Sequence, residues 1–247
     1  MKRIEFFGPM GSGKSTLYSD LIKNKSLCGV VNAKQEVYDI LLNHVKQSSK
    51  IKHFFLRLLL HTPLKDRVFS NYDFYHYLKG DKEADDLLNY VLNDLNVILK
   101  SDKAKCLVRL NYLLKDLSDL IVLKKFSNKS LIVHDESLIQ RGLSLALDGS
   151  LKLYESYFDN TILPDGVVYI KLPLNILKSR ILSREINDSG FNGKKPHSKE
   201  EIENSFNLSD NIYSILRKKN IKVLILDGTK SINDNTKIIH DWINENF

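Results

Sequence analysis

Cysteine is scarce in this sequence: Cys28 and Cys106 are the only two, and neither sits in a His/Cys cluster of metal-ligand spacing. Neither a disulfide framework nor a zinc site is thereby indicated, and a reducing, cytoplasmic setting fits. No window approaches ~18 uncharged apolar residues, so no segment reads as a membrane span. The chain enters an apolar strand almost at once, which leaves no room for a signal peptide. Gly/Ser/Pro linkers, internal repeats and low-complexity tracts are missing too, so the expectation is a single domain over 1–247. With 43% hydrophobic residues, the 247-residue chain can bury a full core and still carry a sizeable insertion.

Absent motifs narrow the functional classes. A GTPase would carry Asn-Lys-x-Asp, but Asn24-Lys25 and Asn128-Lys129 are both followed by Ser-Leu. The ABC-type signature Leu-Ser-Gly-Gly does not occur either. The formal charge is +7, yet no basic arm and no basic stripe interleaved with aromatics forms a recognisable module, so nucleic acid is not favoured. Abundant Lys, Asn and Ile with little Ala is also the imprint of an AT-rich genome. The sparse arginines are therefore more informative than the lysines.

What is present starts with Ile4 to Thr16, "IEFFGPMGSGKST". A β-prone apolar run feeds a turn that matches G-x-x-x-x-G-K-[ST] through Gly8, Gly13, Lys14 and Ser15, with Gly11 inside it. Glycines there let successive N–H groups of Gly8, Pro9, Met10, Gly11, Ser12, Gly13, Lys14, Ser15 and Thr16, proline excepted, converge on one anion site. A helix expected from Lys14 to Lys23 points its positive end at the same place. Lys14 would reach the β- and γ-phosphates of a nucleotide, ATP in the simplest case, and Ser15 would ligate Mg²⁺.

Short apolar runs recur at Leu131–His134, Val167–Leu172 and Val223–Leu226, with a weaker one near Cys28–Val31. Continuous apolar strands between helical segments predict an α/β architecture, a parallel sheet with helices on both faces. About 37–128 shows helical periodicity without a clear strand and reads as a helical insertion on the acceptor side. Within it, "KIKHFFLRLLLHTPLKDR" near 50–67 is basic and apolar. It could lie on a membrane surface, although a buried amphipathic helix explains it more simply. The aromatic group Tyr72–Tyr77 could stack on a base, with inter-helix packing the plainer reading.

Asp135 and Glu136 follow the apolar strand Leu131–His134 directly, and a carboxylate at that end of a parallel sheet faces the nucleotide crevice. Asp135 is the candidate for the metal, with Glu136 facing the acceptor or serving as base. Arg180 and Arg184 lie four residues apart on an expected helix and could clamp a phosphoryl group. The polar stretch after them, with Gly190 and Gly193, suggests a lid over about 178–205. Asp227-Gly228-Thr229 forms a strand-to-helix turn whose backbone could line an adenine pocket.

With these pieces in order, the chain resembles the P-loop kinases of small molecules, in particular the thymidylate kinase and deoxynucleoside kinase group. The likeness is carried by "GPMGSGKST", "LIVHDES" with Gln140 and Arg141, "VVYIKLPLNILKSRILSRE", Tyr213 and "VLILDGT". It leaves Val37 to Asn128 unmatched. Where deoxynucleoside kinases carry Glu-Arg-Ser, this chain has Asp135-Glu136-Ser137. The resemblance implies a five-stranded parallel core and transfer of the γ-phosphoryl group of ATP to a nucleoside, a nucleotide or another small acceptor. It also implies lid positions for Arg180 and Arg184 and an acceptor-side position for Arg141. Arg57 and Arg67 lean toward an anionic acceptor, and a homodimer is compatible with all of this. The competing classes are a slowly hydrolysing nucleotide switch or binding module, a sugar kinase and a polynucleotide 5′-kinase.

Overall fold

The computed structural model describes residues 1–24, 29–50, 52, 54, 57, 77–98, 103–147, 151–188 and 198–247. Five parallel strands form one sheet: β1 (Lys2–Phe7), β2 (Val31–Asn32), β3 (Leu131–His134), β4 (Gly166–Lys171) and β5 (Lys222–Asp227). Their spatial order is β2-β3-β1-β4-β5. Cys28, at the start of the weak run expected before Val31, lies outside the described residues.

Because β1 is central, pairing with β3 on one side and β4 on the other, both of its faces are covered and every residue after Lys2 is buried. Alternation still assigns each side chain to a face. Ile4, Phe6, Val168 and Ile170 pack on α1 (Lys14–Lys23) and α9 (Ile232–Asn246) through Leu17, Leu21, Ile239 and Ile243. Phe7, Val167 and Tyr169 pack on the opposite face. There they meet α3 (Lys82–Ile98), α4 (Lys103–Phe126), α5 (Leu138–Leu147), α6 (Leu151–Asn160) and α8 (Lys199–Lys218). α2 (Ala33–Ser48) covers the β2 side through Val37, Leu41 and Ile132, and α7 (Leu174–Asp188) pairs with α8 through Leu177, Ile181 and Ile202.

Within 37–128 the described residues carry α2, α3 and α4 and no strand. Most of the basic apolar segment near 50–67, Arg67 included, and Tyr72 to His76 lie outside the described residues, whereas Arg57 is exposed. Tyr77 packs edge-on against Phe126 and shares a hydrogen bond of 3.3 Å with His44 Nδ1, an inter-helix role. Of the stretch 178–205, the first part belongs to α7 and the last to α8, and 189–197 lies outside the described residues.

Two charged residues break the apolar run of β1. Arg3 and Glu5, 3% and 0% exposed, lie 3.4 Å apart. Glu5 Oε2 accepts from the Ile139 N–H at 2.9 Å, and Arg3 Nη2 donates to Ile162 O. Glu5 thereby caps the start of α5 from inside the core. Removing one member of a buried pair leaves the other charge uncompensated. Glu5→Ala should therefore lower unfolding free energy by about 3–5 kcal/mol, measured by urea denaturation; a loss near that of a surface carboxylate would show that the pair is dispensable.

Candidate functional site

The glycine turn starts at the end of β1, beside Ile170 of β4. A Cβ on Gly8, whose φ is 149°, would lie 2.8 Å from Ile170 O, so only glycine fits. Gly13, left-handed at φ 95°, is the N-cap of α1, and no side chain caps that helix. Its first N–H groups are thus left for an anion. Lys14 is 6% exposed and folds back over the turn. Its Nζ donates to Gly8 O at 2.9 Å and Pro9 O at 3.1 Å, and lies 3.6 Å from Glu136 Oε1. Two neighbouring helices hold the loop by long hydrogen bonds of 3.4 Å: Gly8 N to Gln140 Oε1 of α5, and Met10 N to Ser205 Oγ of α8.

Parallel pairing of β1 with β3, in register through Glu5 and His134, brings Asp135 and Glu136 beside this turn. Burial pushes the Asp135 carboxyl above the usual carboxylate range; the Ser15 hydroxyl pulls it back, Glu136 adds to the rise and Lys14 opposes it. Asp135 Oδ1 is buried and has no hydrogen-bond partner among the described residues. An orphaned carboxylate oxygen beside a P-loop serine hydroxyl is the donor set a hard, oxygen-seeking cation takes, so Ser15 and Asp135 fit Mg²⁺.

A cavity of about 420 Å³ opens beside these residues, bounded by Ser15, Asp116, Asp119, Asp135, Glu136 and Arg141. Arg141 Nε donates to Asp116 Oδ2 at 2.5 Å, and the guanidinium sits 5.2 Å from the Tyr112 ring centre. His134 also lines the cavity, but burial first and then Arg3 push it down to about 3, so it stays neutral.

A second cavity, about 390 Å³, lies on the other side of the same turn, between Gly11–Gly13, Thr16, Arg180 of α7 and Gly228 after β5. Arg180 Nη2 donates to Gly228 O at 3.0 Å, and its Nη1 comes 3.8 Å from where a Cβ on Gly13 would stand. Arg180 therefore spans this cavity and lies on the opposite side of the turn from Asp135 and Glu136. Arg184 follows one turn later on α7, and its side chain lies outside the described residues. The Asp227-Gly228-Thr229 turn borders the same cavity, with Asn235 Nδ2 donating to Asp227 O at 2.8 Å.

Sequence reasoning did not find Asp116, Asp119, Tyr112 or Ser205. The two aspartates stand three residues apart in "LLKDLSDL", so they share a face of α4. That spacing was visible, but nothing local said that the face would look into the crevice.

No family model and no curated protein sequence matches the chain. Among solved structures, deoxyadenosine kinase from M. mycoides with bound dATP is similar, at 17% identity and a TM-score of 0.52, over 98% of this chain and 100% of that one. The same enzyme with the products dCMP and a flexible dCDP bound gives 16% identity and a TM-score of 0.51, over 98% and 99%. The chain shares the fold of these deoxyadenosine kinase structures, a five-stranded parallel sheet with helices on both faces. The α/β sheet with its helical insertion is thus a known arrangement over nearly the whole chain. Among the described residues, no helix is long and apolar enough to cross a membrane.

The cavity beside Asp135 is also lined by a carboxyl that burial perturbs strongly. Burial lifts the Asp119 carboxyl to about 7; Lys115 and Lys34 oppose the rise and Asp116 adds to it. A carboxyl raised in the folded state supports stability fully below its unfolded value, about pH 4, and loses that support as pH climbs through 7. Asp119→Asn should gain on the native protein with rising pH, by roughly 2 kcal/mol at pH 8 after allowance for water in the cavity. Urea midpoints at pH 5 and 8 measure this, and an equal gap at both would mean that Asp119 does not titrate in this range.

Proposed function

We propose that the chain is an ATP-dependent kinase that transfers the γ-phosphoryl group to a hydroxyl of a nucleoside-like acceptor. One observation carries this reading: the first turn of α1 faces two cavities, Gly13 and Thr16 lining one and Ser15 the other, with Lys14 between them. Two sites meeting at one phosphate-binding lysine are what in-line phosphoryl transfer requires. The fold likeness to an enzyme whose structures hold dATP, dCMP and dCDP supports a nucleotide on one side and a nucleoside on the other.

The donor nucleotide takes the cavity beside Arg180 and Gly228, its phosphates running over Gly11–Thr16 toward Lys14. Arg180 contacts the donor there, and Arg184, one turn on, keeps the phosphate-side role its spacing implies. Mg²⁺, held by Ser15 and Asp135, would neutralise charge on the phosphates. Glu136 is the base, its carboxylate taking the proton of the acceptor hydroxyl. Neutral His134 cannot serve, because a group pushed to about 3 holds a proton too weakly near pH 7. Arg141 faces the acceptor, with its charge already engaged by Asp116.

The acceptor cavity also bears on charge. Its described lining includes Asp116, Asp119, Asp135 and Glu136 against Lys34, Lys115 and Arg141. With its cations matched by carboxylates, the lining offers no excess positive charge to an added phosphate, which favours a neutral nucleoside over a nucleotide.

With labelled ATP and Mg²⁺, a panel of nucleosides, nucleotides, sugars and 5′-hydroxyl oligonucleotides should yield labelled nucleoside first. ATP hydrolysis without transfer to any acceptor would favour a switch. Lys14→Ala should abolish transfer and leave the fold intact. Asp135→Asn should lower transfer by about 10²-fold, the scale for one positioned electrostatic contact, and should weaken Mg²⁺-dependent ATP binding in calorimetry. Glu136→Gln should stop transfer while Mg²⁺-dependent binding persists; the opposite pattern for the two carboxylates would exchange their roles.

A further inference from the structure

We propose that Ser205 is a positioning residue that aims Lys14 by pinning the peptide plane between Pro9 and Met10. The inference rests on the reading of the glycine turn as the ATP site. The carbonyl of that plane, Pro9 O, accepts from Lys14 Nζ at 3.1 Å. The N–H of the same plane, on Met10, donates to Ser205 Oγ at 3.4 Å. A peptide unit is rigid and planar, so a contact on its N–H fixes the direction of its C=O. If the plane turns, Lys14 loses one of the two carbonyls that hold it.

The surroundings leave this plane few directional ties. The preceding unit, Gly8–Pro9, has no N–H and offers nothing comparable to hold. The Pro9 carbonyl also accepts from the Ser12 N–H at 3.3 Å, and the apex otherwise rests on an apolar bed, Met10 packing against the cluster of Leu172, Leu177, Ile181 and Ile202. A Cβ on Gly11 would lie 2.8 Å from Ile181 Cγ1. Such a bed positions the apex but exerts no torque on one peptide plane, because dispersion is non-directional. A hydrogen bond is directional. Ser205 is 1% exposed on α8, so water does not readily replace its hydroxyl. The 3.4 Å length leaves room for tightening when phosphate fills the turn, as functional hydrogen bonds in ligand-free enzymes often do.

Ser209 provides an internal control. It lies one turn further along α8, is 0% exposed, and donates its hydroxyl to Ser205 O at 2.7 Å, with no hydrogen bond to the turn among the described residues. Its loss perturbs the same helix without touching the Pro9–Met10 plane.

The test measures ATP affinity for Ser205→Ala and Ser205→Cys, in the native background and in Lys14→Ala. Cysteine fills nearly the same space but accepts poorly, so it separates the hydrogen bond from packing. Both substitutions should weaken ATP binding roughly threefold to thirtyfold in the native background, the range of coupling between residues in one network, and change nothing further in Lys14→Ala. Ser205→Thr should restore binding, and Ser209→Ala should leave it unaltered. With an acceptor in hand, turnover of Ser205→Ala should fall roughly tenfold to a hundredfold, as small misplacements of catalytic groups do. Equal losses in both backgrounds, or a loss shared by Ser209→Ala, would overturn the assignment. If the native protein transfers phosphate to nothing while the ATP pattern holds, the kinase reading falls and the role of Ser205 stands.

Discussion

The site depends on a carboxylate that never meets water. Glu5 stands in the middle of the central strand, and its Oε2 takes the Ile139 N–H at the start of α5. Burial pushes its carboxyl up, with Arg3 and then that N–H pulling the other way. Such an arrangement is costly to desolvate and hard to satisfy any other way, which makes it a determinant of geometry more than a source of stability. By fixing where α5 begins, it sets the segment from Asp135 to Arg141 against the glycine turn. Gln140, on the same helix, then reaches Gly8 N.

From that constraint follows a division of space. β1 lies between β3 and β4, so the strand that feeds the glycine turn has the carboxylate-bearing strand on one side and the arginine-bearing αβ unit on the other. In an open parallel sheet the crevice forms where the chain changes direction along the strand order, at the C-terminal ends. Here the first turn of α1 occupies that crevice and partitions it. Acids gather on the β3 side, and Arg180 with the backbone of Gly228 marks the β4–β5 side.

Many elements of this arrangement were legible in the sequence, for physical reasons. Parallel strands covered by helices run mostly apolar, so Ile4–Phe7, Leu131–His134, Val167–Leu172 and Val223–Leu226 stood out, Glu5 aside, and match four strands within a residue or two. β2, reduced to Val31–Asn32, is too short to leave a comparable run. The glycine turn was legible because its backbone demands glycine at Gly8 and Gly13 whatever the rest of the chain does. The residues of α4 were not, since Asp116 and Asp119 differ in no local way from the solvated acids of any helix.

The sequence by itself determined the glycine turn, the strand-end carboxylates and the α/β class, because each follows from short-range rules: backbone conformation at glycine, alternation along a strand, and the position of a polar residue after an apolar run. Only the tertiary structure decided which cavity each charged side chain would enter. The pair Asp116–Arg141 joins residues on different helices, Arg180 meets Gly228 across the sheet, and Ser205 meets Met10 from nearly the far end of the chain. Contacts between residues so distant in sequence depend on strand order and helix packing, which no local pattern encodes.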